Sequence, residues 1–155
     1  MKNTISRRSL LGMALAAAAP LAAGVRLSAQ AKPQMTVYKS STCGCCSKWV
    51  EHMQANGFDV KALDVEDVEK VKKERGVPVS AYSCHTGIVN GYAVEGHVPA
   101  AAVKKMLAEK PAILGIAVPG MPMGSPGMEV PSGQKDKFDV VAFDKAGKIT
   151  VYVKG

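Results

Sequence analysis

The sequence holds no internal repeat and no low-complexity tract, so solenoid and fibrous architectures are excluded. It also lacks an apolar run of the ~20 residues that a bilayer-spanning helix needs. The one alanine-rich stretch, ending near Ala23, is interrupted by Pro20 and Gly24. Acidic residues are missing from the first thirty-one positions, where Lys2, Arg7, Arg8 and Arg26 carry all the charge. Within that segment Ser6-Arg7-Arg8-Ser9-Leu10-Leu11 sets a twin arginine ahead of the apolar stretch. Ala29-Gln30-Ala31 then supplies the small residues a signal peptidase reads. We expect residues 1–31 to be a cleaved twin-arginine signal peptide, leaving a periplasmic chain over 32–155 with no stable membrane insertion.

Without the four basic charges of that segment the formal net charge falls from +7 to +3. The remaining basic residues are interspersed with acids, as in Lys70, Lys72, Lys73 and Arg75 beside Glu66, Asp67, Glu69 and Glu74, the pattern of a solvated helix face. A nucleic-acid partner therefore has no basic patch to bind.

What the chain does have is four cysteines, Cys43, Cys45, Cys46 and Cys84, all beyond the expected signal. An even count in an exported chain first points to two disulfides, and sequence does not determine connectivity. Three sulfurs within four residues, however, crowd one loop and do not bridge distant segments.

Hydrophobic spacing predicts a strand at Met35–Lys39, a polar loop at Ser40–Gly44, and a helix from Cys46 with Trp49, Val50 and Met53 inward, stopped at Asn56-Gly57. Alternation then predicts a strand through Phe58, Val60 and Ala62. A helix at 66–75 follows, with Val65, Val68 and Val71 inward. Strands are expected at Val79–Ser83 and Ile88–Val94 about a tight connection at Cys84-His85-Thr86-Gly87, and then a helix opened by Pro99. This order, with a Cys-x-x-Cys at the first helix, predicts an α/β fold of thioredoxin-like type. Beyond it, Ile113–Gln134 reads as a Pro/Gly/Met-rich wrap and Phe138–Val153 as a β-hairpin turning near Asp144–Gly147. Residues 32–155 are thus one domain.

Cys43-Gly44-Cys45-Cys46 overlaps a Cys-x-x-Cys with a Cys-x-Cys where a helix begins, and unpaired N–H groups there favour thiolate. Adjacent helical residues diverge by about 100°, so Cys45 and Cys46 suit different ions of a cluster better than one tetrahedral ion. That favours Cu(I), soft and tolerant of low coordination, over Zn²⁺. Cys84 is the candidate fourth sulfur. His85 beside it and His97 in Gly96-His97-Val98-Pro99 are further donors or proton carriers. Met121, Met123 and Met128 offer thioethers, although methionine fills cores as readily as it binds metal. His52, two turns beyond Cys45, reads as a solvated helix residue, and Trp49 as core.

The ordered set Cys43-Gly44-Cys45-Cys46-x-x-Trp49, Gly76-Val77-Pro78, Ser83-Cys84-His85-Thr86, Glu95-Gly96-His97-Val98-Pro99 and Val118-Pro119-Gly120-Met121-Pro122 to Gly127-Met128-Glu129 resembles the CopG-type periplasmic copper-resistance proteins. The resemblance spans nearly all of 32–155. It implies a thioredoxin-like fold, copper on the cysteines at 43, 45, 46 and 84, and a role in handling excess copper that extends to changing its oxidation state. It leaves two rivals open: a thiol-disulfide oxidoreductase using Cys43 and Cys46, and a passive chaperone handing copper to an exporter or a multicopper enzyme. A redox role would in turn require a redox partner. The expected cargo is Cu(I), more than one ion per chain.

Overall fold

The computed structural model describes residues 31–155. The expected signal peptide therefore lies outside the described residues, apart from Ala31. The apolar spacing read for the first helix is realised as α1 (Gly44–Ala55), which buries Cys46, Trp49, Val50 and Met53. The helix begins two residues earlier than expected, so Cys43 is its N-cap and Cys45 and Cys46 fall in its first turn. Gly57, at φ +89°, ends it: the Phe58 N–H donates to the Met53 carbonyl and that of Gly57 to Gln54, both at 3.1 Å. This is the double closure that a left-handed glycine permits.

Flanking α1, β1 (Gln34–Lys39) and β2 (Asp59–Asp64) pair in parallel. In β2 the expected alternation slips at its end, where Ala62 is exposed and Leu63 half-buried. It is one of the sheet's two edge strands and is only partly covered. Helix α2 (Val68–Glu74) is capped by the Asp67 carboxylate, which accepts the Lys70 N–H at 2.9 Å.

Two expectations fail between α2 and the third helix. Val79–Ala81 is a 3-10 turn, not a strand. The hairpin turn falls at Asn90-Gly91, between β3 (Thr86–Val89) and β4 (Tyr92–Glu95), and not at Cys84–Gly87. Asn90 and Gly91 have φ of 48° and 85°, the positive values that a two-residue hairpin loop of matching twist requires and that Asn-Gly supplies. The apolar residues on both sides of that pair read as one strand when the pair is passed over. Among the described residues no peptide bond is cis, Pro78 included.

Pro99 caps α3 (Ala100–Glu109), which buries Ala100, Ala102, Val103 and Met106. The wrap expected after it contains a short strand, β5 (Gly115–Ala117), laid parallel to β4. Only glycine fits at its start, since a Cβ on Gly115 would meet the Ala93 carbonyl oxygen at 2.1 Å. The C-terminal hairpin is as expected: β6 (Val140–Phe143) and β7 (Ile149–Val153) join through a turn in which the Asp144 carboxylate accepts the Ala146 and Lys148 N–H groups.

The seven strands lie in the order β2-β1-β3-β4-β5-β6-β7. The first four, with the three helices, form a thioredoxin-like α/β unit, and β5 to β7 extend it. Met35, Val37, Trp49, Met53, Val94, Val103, Met106 and Ile116 make the main core. Among the described residues no helix is long and apolar enough to cross a membrane.

Candidate metal centre

The turn after β1 sets the first three sulfurs. Cys43 donates its N–H to the Ser40 carbonyl at 3.1 Å and hands the chain to α1. Its Sγ lies 3.6 Å from that of Cys45. Cys43 and Cys46 are joined as a disulfide, with Cα atoms 5.3 Å apart, while Cys45 and Cys84 are free. The bonded pair holds two of the four expected ligands in a form that cannot act as thiolates until it is reduced.

Cys84 arrives from the far side, where the 3-10 turn leads into β3. Its carbonyl oxygen is 3.9 Å from Cys46 Sγ. All four Sγ atoms lie within 4.8 Å of one another, and Cys84, His85 and His97 make a second group with donor atoms equally close. The divergence expected of Cys45 and Cys46 is expressed in burial: Cys46 is wholly covered and Cys45 half-exposed, yet both sulfurs remain in one cluster.

Both histidines are fully buried. His97 Nδ1 is 2.8 Å from the Pro126 carbonyl oxygen, which can only accept, so Nδ1 holds the proton. The lone pair of Nε2 is left facing Cys84 Sγ at 3.0 Å. His85 Nδ1 is 3.4 Å from the same sulfur, and its Nε2 is buried without a hydrogen-bond partner. The His85 ring lies against Trp49, with centroids 4.4 Å apart, and edge-on to His97. Trp49 is fixed in turn by its Nε1–H, which donates to the Val98 carbonyl at 2.9 Å.

Burial holds His85 well below its ordinary value, with the nearby His97 and Lys72 adding to the effect, and burial likewise lowers His97. Both rings are therefore neutral near pH 7 and able to donate lone pairs. The Cys84 thiol is pushed up to about 12, first by burial and then by the neighbouring Cys45, so without a metal it stays protonated. Soft sulfurs beside neutral imidazoles form a donor set for a soft cation.

The methionine segment packs on this centre through its backbone. A Cβ on Gly127 would meet the Cys45 carbonyl oxygen at 2.7 Å and the Trp49 nitrogen at 2.8 Å, so the strap touches the first turns of α1. Met121 is 54% exposed, and Met123 and Met128 are half-buried. His52 is not in either cysteine cluster, nor is it simply solvated. It is half-buried, and its Nε2 accepts the Ala100 N–H at 3.2 Å, tying α1 to the start of α3.

Sequence reasoning missed the support beneath Cys84. Lys72, read as part of a solvated face, is 3% exposed and pairs with the fully buried Glu95 at 2.6 Å. Its position four residues after Val68 places it on the inward stripe of α2, a signal that its charge obscured.

Fold and site together define a thioredoxin-like α/β domain carrying a cysteine–histidine cluster able to hold metal. The family described as a protein of unknown function, DUF411, matches residues 81–128, the stretch from the 3-10 turn through the strap. No curated protein matches the chain. A solved structure of copper resistance protein CopG, form 2, is 44% identical, with 80% of this chain and 98% of that chain covered and a TM-score of 0.76. Form 1 of the same protein gives equal identity and coverage, with a TM-score of 0.74. The chain belongs to the family of copper resistance protein CopG.

Proposed function

We propose that this is an exported copper-tolerance protein that holds Cu(I) as cargo on Cys43, Cys45, Cys46 and Cys84, more than one ion per chain, in the periplasm. The observation that carries this reading is the convergence of four sulfurs from two separate segments within 4.8 Å, with two buried imidazoles beside them. Loading begins with reduction of the Cys43–Cys46 disulfide: an external thiol or dithiol gives two electrons and two protons, and two thiols result. Copper then displaces thiol protons, and bridging sulfurs let adjacent Cys45 and Cys46 serve different ions. Re-forming the disulfide takes two electrons away and removes two ligands, which couples copper release to a redox partner. A copper exporter or a multicopper enzyme fits as recipient; a change in copper's own oxidation state balances as two Cu(II) reduced to two Cu(I) while the Cys43 and Cys46 thiols lose two electrons and two protons to become the disulfide.

One observation favours a second reading. A disulfide at the start of α1 with a free thiol 3.6 Å away suits thiol-disulfide exchange through Cys43 and Cys46. Protein isolated from the periplasmic fraction of copper-grown cells separates the two. The copper reading expects a chain beginning near Lys32, copper in excess of one per chain, and four thiols shielded together from alkylation. Copper-free protein that turns over insulin disulfides, with Cys45→Ser unaffected and Cys43→Ser dead, would replace it with the exchange reading. A chain retaining Met1 in the cytoplasm would overturn the compartment.

A further inference from the structure

Cys84 and His85 lie between the 3-10 turn and β3, outside any strand. The two residues that bracket them, Ser83 and Thr86, bind one carboxylate. The Ser83 N–H donates to Glu95 Oε1 at 2.7 Å, and the Thr86 hydroxyl donates to Glu95 Oε2 at 2.7 Å. Lys72 Nζ, reaching in from α2, donates to the same Oε1 at 2.6 Å and to Thr86 Oγ1 at 3.2 Å. Glu95, Thr86 and Lys72 are all buried. The next residue closes the loop from behind: the Gly96 N–H donates to the His85 carbonyl, and a Cβ there would meet Ser83 Cβ at 2.4 Å. The Ser83 hydroxyl donates to the Gly120 carbonyl of the strap.

A buried ion pair is a poor source of stability, because desolvating both charges offsets most of their attraction. A carboxylate with two oxygens can nonetheless do what an apolar side chain cannot, accepting hydrogen bonds from both flanks of a two-residue segment at once. We propose that Glu95 is a positioning residue for the metal centre: its carboxylate pins Ser83 and Thr86, and thereby fixes Cys84 Sγ opposite the sulfurs of α1, while Lys72 neutralises it in the interior. This assignment rests on the proposed ligand role of Cys84, but the pinning itself concerns the metal-free protein.

Two double variants separate the hydrogen bonds from the charge. Lys72→Met with Glu95→Met removes the ion pair and the acceptors. Lys72→Met with Glu95→Gln removes the charges but leaves an amide that can accept from Ser83 and donate to Thr86 Oγ1. In reduced, metal-free protein, peptide-resolved alkylation should find Cys84 at least five-fold faster in the Met/Met protein, with Cys45 unchanged and the Gln/Met protein close to wild type. Cu(I) affinity against a chromophoric chelator should fall at least ten-fold in Met/Met and recover in Gln/Met.

Equal Cys84 rates in all three proteins, or cysteines that speed up together, would overturn the proposal. If Met/Met does not fold, amide exchange of the wild-type protein still decides. The Ser83 N–H should exchange slowly although its residue is half-exposed, and exchange at the free-peptide rate would refute the pin. Absence of copper binding by wild-type protein would defeat the copper reading, while alkylation and amide exchange still judge Glu95.

Discussion

The two halves of the centre are built by opposite means. Cys43, Cys45 and Cys46 fall within four residues and need only the start of α1 to be brought together, whereas Cys84, His85 and His97 depend on contacts with α1, α2, β4 and the strap. A local site survives mild disturbance because its geometry is that of a helix turn. An assembled site is only as well placed as the buried contacts beneath it. The glycines show the same contrast: a Cβ on Gly44, between the α1 cysteines, would meet nothing within 4 Å, while one on Gly127 of the strap would run into the α1 backbone.

The assembled half should break first and most severely. Lys72→Met leaves the Glu95 carboxylate buried and uncompensated, and stability should fall by about 3–5 kcal/mol, read from denaturant midpoints at unchanged slope. Gly127→Ala combines positive φ with overpacking and should cost about 1–3 kcal/mol. Gly44→Ala should be neutral or stabilise by about 0.4–1 kcal/mol. Similar losses for the two glycine variants would erase the contrast.

A smaller effect is expected with pH. All three histidines are held below their ordinary value by burial. The unfolded chain therefore binds protons that the folded chain does not, starting near the unperturbed value of about 6.5. Stability of metal-free protein is then fully present above that pH and declines as pH falls from about 6.5 toward 5, before the carboxylates titrate. A thermal midpoint that is flat over this window would contradict the buried, neutral state of the rings. The smallest difference concerns thiol chemistry: with its thiol pushed up to about 12, Cys84 should alkylate more slowly than Cys45 at pH 8 in reduced protein.

Much of this was legible in the sequence where information is local. Helical spacing from Cys46 to Met53 and the Asn56-Gly57 stop gave α1 to within two residues, and the sulfur crowding at its start followed directly. Cys84 does reach the first helix, but through a 3-10 turn and not a strand. The hairpin turn is hard to place from sequence because apolar and β-branched residues flank Asn90-Gly91 on both sides and run on as if in one strand. β5 went unseen because three residues of Gly-Ile-Ala carry no period and pair only once β4 and β6 are in place. Lys72 and Glu95 were hidden for a different reason: a buried ion pair reverses the usual meaning of charge, and only tertiary structure supplies its partner.

The central claim is that both halves act as one copper site. The direct measurement is Cu(I) titration of fully reduced protein against a chromophoric chelator, run side by side on wild type, Cys43→Ser and Cys84→Ser. More than one Cu(I) per wild-type chain, with Cys84→Ser impaired as badly as Cys43→Ser, is the predicted result. A single ion per chain, or wild-type copper content in Cys84→Ser, would contradict it and reduce the centre to a local clip on α1.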